Sequence, residues 1–124
     1  MANLQDSDGY MVLGADDQSK DYFVGAARRL SIQTRVSNTD AAGKIKLQIA
    51  NDPAGTKLGS TDEWVDGYFF LAGNSSLMDS YDLPAGQPFS AIICHEVFTG
   101  FARLKWEHSS GTGGMWYVIK SHRS

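Results

Sequence analysis

The segment Phe101-Ala-Arg-Leu-Lys-Trp-Glu-His-Ser-Ser-Gly-Thr-Gly-Gly-Met-Trp-Tyr-Val-Ile-Lys120 constrains the fold more than any other part of the chain. Ala102, Leu104 and Trp106 alternate with Arg103, Lys105 and Glu107, the period-2 pattern of a strand with one face buried and one wet. Ser109 to Gly114 breaks the pattern with three glycines, and it resumes at Met115, Tyr117 and Ile119. Glycine reaches the positive φ angles of a tight reversal, so the segment predicts a β-hairpin.

The same alternation recurs upstream. Leu30, Ile32, Thr34 and Val36 alternate with Ser31, Gln33 and Arg35. After a loop rich in turn residues, Ile45, Leu47 and Ile49 alternate with Lys44, Lys46 and Gln48, giving a second hairpin or a crossing between sheets. Pro53 in Asn51-Asp-Pro-Ala-Gly55 ends that strand, because proline donates no ladder hydrogen bond. Trp64 to Leu71 is strand-like, and on Phe89 to Val97 the residues Ala91, Ile93, His95 and Val97 share one face. Gly9 to Leu13 forms a short first strand and Tyr22 to Val24 a second apolar patch. No segment carries a helical apolar period.

Seven or eight short strands with frequent turn signals predict an all-β, antiparallel β-sandwich of jelly-roll type, with a closed barrel as the rival. The expected core is Leu30, Ile32, Val36, Ile45, Leu47, Ile49, Leu104, Trp106, Tyr117 and Ile119. Residues 1–28 are read as an N-terminal arm with the first short strands and residues 29–124 as the sandwich core. At 124 residues the whole is a single domain.

Composition narrows the function. The net charge is −3 with Lys and Arg dispersed, which leaves no basic footprint for nucleic acid. No stretch approaches the roughly 18 apolar residues of a membrane span. The start lacks the pattern of a secretory signal, so the chain is expected to be made in a cytoplasm. Cys94 is the single cysteine, so no intrachain disulfide is expected.

Motifs of chemistry are sparse. Asp6-Ser-Asp-Gly9 opens like a calcium loop but lacks the later ligands, and Asp16-Asp17 and Asp62-Glu63 suit solvated loops. His95, His108 and His122 have no metal-ligand spacing. Cys94 and His95, adjacent on a strand, point to opposite faces and cannot pair as nucleophile and base. Gly111-Thr-Gly113 lacks the Lys and helix of a phosphate loop. No catalytic residue, cofactor or metal is expected, and the chain is not expected to be an enzyme. The aromatics would overfill one small core, so some must be exposed. Trp64, Tyr68, Phe70, Tyr81, Trp116 and Val118 are the candidates for an interface or a ligand contact, with subunit packing favoured over sugar stacking.

The order now assembled is Lys44-Ile-Lys-Leu-Gln-Ile-Ala running into Asn51-Asp-Pro, then Trp64-Val-Asp66, then Phe101-Ala-Arg-Leu-Lys-Trp closing through Ser-Gly-Thr-Gly to a terminal strand. Over roughly residues 30 to 120 this resembles the small β-sandwich structural proteins of bacteriophages. The chain departs from them in the long gap between Asn51 and Trp64 and in an apparent insertion from Ser75 to Val97. The resemblance implies a non-enzymatic virion protein, such as a capsid decoration, cementing or minor capsid protein. Its implied partners are the major capsid protein or other virion proteins and further copies of itself, as a homotrimer. The alternative is a carbohydrate-binding or host-attachment module of a spike or tail, with a glycan stacked on Trp64, Tyr68, Tyr81 or Trp116.

Overall fold

The alternating segments do form strands. A computed structural model describes residues 6–25, 27–37, 39–59, 63–74, 76–97 and 99–123. Its strands are β1 (Asp6–Val12), β2 (Asp17–Gln18), β3 (Tyr22–Phe23), β4 (Arg29–Val36), β5 (Ala42–Ala50), β6 (Val65–Gly67), β7 (Phe70–Leu71), β8 (Tyr81–Leu83), β9 (Phe89–Glu96), β10 (Phe101–Ser110) and β11 (Gly114–His122). Two antiparallel sheets face each other. The first runs β1-β11-β4-β9-β7. The second runs β2-β10-β5-β6, with β3 also on β10 and β8 also on β5.

This is the jelly roll. β2 and β3 occupy one strand position along β10, and β6 and β8 occupy one along β5. With each pair merged and β7 set aside, the order is 1-8-3-6 over 2-7-4-5, two Greek keys wrapped around one core. Ten of the eleven strands thus fill the eight positions of the expected topology, and β7 is added at the edge of the first sheet. The surplus comes from pieces of two or three residues, too short to carry a periodic signal.

The closing segment is not a hairpin. β10 is bonded along one edge to β5 and along the other to β2 and β3, so no edge is left for β11. β11 lies instead between β1 and β4 in the other sheet. Gly111, at φ 75°, helps turn the chain from one sheet to the other. The alternation was correctly placed, because Leu104 and Trp106 face Tyr117 and Ile119 across the core, all at most 3% exposed. The β4–β5 connection is likewise a crossing.

The strand expected over Trp64–Leu71 is divided. β6 ends at Gly67 opposite Leu47, and β8 resumes the same edge at Tyr81 opposite Ile45. Residues 68–74 and 76–80 leave the second sheet between these points. Phe69, fully buried, bridges to Met78 by two backbone bonds of 2.8 and 2.9 Å, and β7 pairs with β9 of the first sheet. The excursion therefore spans the gap between the two sheets along one side of the sandwich.

Residues 6–25 belong to the sandwich rather than standing apart as an arm. β1 pairs with β11 over seven residues, and Met11, Leu13, Tyr22 and Val24 lie in the core. The predicted core residues are buried except Ile49, which is half-buried.

One end of the sandwich is tied by its loops. The Trp106 indole donates to the Leu13 carbonyl at 3.1 Å, and the Leu13 N–H donates to Gly113 O at 2.8 Å. Asp40 Oδ1 accepts from the Thr112 N–H at 2.8 Å, which holds its carboxyl below the usual range, and the Thr39 hydroxyl donates to the Thr112 carbonyl. These bonds satisfy polar groups where ladders end.

Candidate functional site

The aromatic candidates are not brought together; they lie on separate surfaces. Trp64 rests on the outer face of the second sheet beneath Arg103, whose guanidinium carbon is 4.2 Å from the ring centroid. Arg103 Nε also donates to Gln48 at 2.9 Å. Around this stack Lys46 Nζ reaches Glu107 at 3.1 Å and Asp66 at 3.3 Å, and Lys44 reaches Asp82 at 3.4 Å. The Glu107 contact is the main cause that raises the Lys46 pKa. This face is a lattice of paired charges. Tyr81 is half-buried at another edge, with its ring 4.6 Å from that of Phe89.

The outer face of the first sheet is different. Antiparallel partners point to the same side, so the register places side chains in rows. One row is Tyr10, Trp116, Arg35 and Ser90; the next is Asp8, Val118, Gln33 and Ile92. Tyr10 and Trp116 are 51% and 62% exposed, with ring centroids 4.6 Å apart and planes tilted by 57°. Val12 and Val118 are exposed beside them, and Ile92 is exposed farther along the same face, beyond Gln33. Trp116 and Val118 were nominated from sequence. Tyr10, Val12 and Ile92 were missed, although Tyr10 and Val12 alternate with the buried Met11 and Leu13.

The third surface is a cleft of about 420 Å³ beside the 68–80 excursion. Ile49, Phe70 and the exposed Leu77 and Tyr68 give its apolar wall, and Asp66, Glu96, Cys94 and His95 also line it. His95 alternates with Ile93 and so turns inward, to 6% exposure. Its Nδ1 lies 2.8 Å from the Tyr68 carbonyl, which only accepts, so Nδ1 carries the proton and Nε2 offers a lone pair. Nε2 is buried and has no hydrogen-bond partner among the described residues. Burial is the main cause that lowers the His95 pKa, against the Tyr68 bond and the charge of Glu96. The imidazole is therefore neutral near pH 7. Gly67 makes room for it, since a Cβ there would lie 3.4 Å from His95 Cε1 and 3.3 Å from Ile49 Cγ2.

The remaining motifs serve structure. Cys94 pairs with Ser31 on the outer side of its strand, away from the inward His95, and burial pushes its thiol pKa up. His108 Nε2 lies 2.8 Å from the Gly111 carbonyl, and His122 Nε2 lies 2.8 Å from Ser31 Oγ. Asp6 to Gly9 is strand rather than loop, with Gly9 against the Tyr117 ring. Asp62 lies outside the described residues. Among the described residues no three of His, Cys, Asp and Glu come together as metal ligands.

No protein-family model matches the chain, and no curated protein matches it. Among solved structures, that of SPBc2 prophage-derived protein YomS is similar, with a TM-score of 0.60 over 98% of this chain and 99% of that one. Sequence identity is 10%, so the likeness shows a shared fold across the full length of both chains.

Proposed function

We propose that the chain is a structural protein of a bacteriophage particle, a decoration or cementing subunit that associates as a trimer and meets its neighbours through the outer face of the first sheet. One observation carries the reading: Tyr10, Val12, Trp116 and Val118 stand exposed together on neighbouring strands of a single face. Exposed apolar side chains scattered singly are ordinary, but a contiguous group marks a contact surface. Trp and Tyr are the side chains that most often dominate binding energy, and Arg35 and Asp8 beside them supply the polar margin. The prophage origin of the structural neighbour, and the resemblance of the sequence to phage structural proteins, support the setting. Repeated compact units on a symmetric shell suit a closed oligomer.

The test is solution mass by light scattering together with co-sedimentation on empty shells of the producing phage. Wild-type protein is expected to run as a trimer and to saturate shells at a lattice-like copy number. The double substitution Trp116→Lys and Val118→Lys is expected to give a monomer that ignores shells while keeping its far-UV circular dichroism. A trimer that ignores shells would move the role to the tail or spike. A monomer that ignores them would refute the proposal.

A further inference from the structure

The strand register fixes what flanks the exposed aromatic pair on the outer face of the first sheet. Trp116 and Val118 stand on β11, with Tyr10, Val12 and Asp8 on β1 to one side and Arg35 and Gln33 on β4 to the other. A Cβ on Gly114 would meet the Tyr10 ring, so that ring lies over Gly114 and beside Trp116, already held in place. A preorganised ring loses little freedom when it is covered. Asp8 and Arg35 are both exposed. They lie two strands and one row apart, about 10 Å across the sheet and about 7 Å along it, with Trp116 and Val118 between them. Within one copy they do not meet: the ion pairs among the described residues are those of Lys44 and Lys46, all on the second sheet.

We propose, resting on the contact face argued above, that its occupant is a second copy of this chain and that in the trimer Arg35 of each copy pairs with Asp8 of the next. Charge complementarity selects the occupant. The patch carries a cation on one flank and an anion on the other, so a copy of itself presents the opposite of both. A three-fold axis joins unlike flanks, β4 of one copy against β1 of the next, and identical contacts close the ring. Trp116 and Val118, on the strand between the flanks, then turn toward the axis. Ile92, beyond Gln33, extends the β4 flank and meets the apolar side chains of the next copy's β1. An arginine side chain spans the offset of one row, and its planar fork of donors fits a carboxylate. The pair also answers two charges that a covered face would otherwise leave without water or partner, the unfavourable case. A uniformly acidic partner would set a like charge against Asp8.

The test is the solution mass of the full chain by light scattering over a dilution series, for wild type, Arg35→Asp, Asp8→Arg and the double reversal. Both side chains are exposed, so the far-UV circular dichroism is expected to stay unchanged. Each single reversal sets like charges together at every contact and is expected to raise the concentration at which the trimer half-dissociates by at least about tenfold. The double reversal re-forms the pair with its charges exchanged and is expected to return to wild-type behaviour. An equal mixture of the two single variants should recover only in part, since a ring of three cannot alternate two kinds of copy. Full recovery of that mixture as a dimer would overturn the three-fold contact. Single variants that remain trimers, while the Trp116→Lys and Val118→Lys double variant is a monomer, would overturn the pair and leave the contact face standing. Failure of the double reversal to restore what the single variants lose would also overturn the pair. A wild-type monomer would overturn the pair and the contact face together.

Discussion

Replacing Trp106 by Phe tests how the loop end of the sandwich is held. Trp106 is fully buried on β10 between Ile45 of β5 and Asp17 of β2, and its indole N–H donates to the Leu13 carbonyl at 3.1 Å. Phenylalanine keeps one aromatic ring and the apolar contacts but removes the donor and part of the volume. The Leu13 carbonyl is then left unpaired in a buried place, which costs about 1–3 kcal/mol. The lost ring atoms leave a cavity worth about 1 kcal/mol at ~24 cal/mol per Å³. The sum, about 2–4 kcal/mol, is a large part of the roughly 5–15 kcal/mol that a domain of this kind possesses. Urea unfolding followed by far-UV circular dichroism reads the loss as a lower midpoint at unchanged slope. Hydrogen exchange adds a local readout: the Leu13 and Thr112 amides should lose protection before those at the centre of β4, because they belong to the corner that the indole anchors. A loss below about 1 kcal/mol would refute the assignment of the indole bond as an anchor. Uniform loss of protection over the sandwich would show that Trp106 acts by packing alone.

Two further outcomes follow from the same core. Gly43→Ala is expected to destabilise the fold by about 1–3 kcal/mol or more, since the new methyl would meet the Glu107 carbonyl and lie 2.7 Å from Trp106 Cζ2; an unchanged urea midpoint would contradict that crowding. Burial holds the His95 pKa below its unfolded value of 6.5, so the unfolded chain takes the proton first and the native state is disfavoured as pH falls. Stability from this group is intact above pH 6.5 and declines below it, by up to about 1.4 kcal/mol per pH unit until the folded ring also titrates. In His95→Phe the slope of stability between pH 7 and 5 should flatten; an equal slope would assign the effect to other groups.

Period-2 alternation told which side of each strand meets the core, and for Leu104, Trp106, Tyr117 and Ile119 that reading holds. Alternation carries no information about which strand lies alongside. A hairpin and a crossing between facing sheets bury the same residues, so alternation alone does not separate them at 111–113, whereas the partners on both edges of β10 do. The division of Trp64–Leu71 was hidden for a related reason. Tyr68-Phe69-Phe70-Leu71 is a continuous apolar run, and only its contacts show that Phe69 enters the core while Phe70 sits on the edge of the other sheet. The inward turn of His95 was legible from its alternation with Ile93. Its unpaired Nε2 was not, because that depends on the chain leaving β6 so that the Tyr68 carbonyl arrives at Nδ1.

The two outer faces of the sandwich arise from the same alternation, yet they suit opposite environments. On the second sheet Lys44, Lys46, Gln48, Arg103 and Glu107 are held in pairs, and Trp64 is capped by Arg103. Exposed pairs of this kind add about 0–1 kcal/mol each to stability. Burying them against another protein would strip several charges of water at once, which penalises that face as a docking surface. On the first sheet the corresponding positions hold Tyr10, Trp116, Val118 and Ile92, whose burial against a partner releases water at little electrostatic cost. β11 thus has an apolar side chain at nearly every position from Met115 to Ile119, one set for the core and one for the outside. The asymmetry directs any face-to-face assembly to the first sheet and leaves the charged sheet toward solvent.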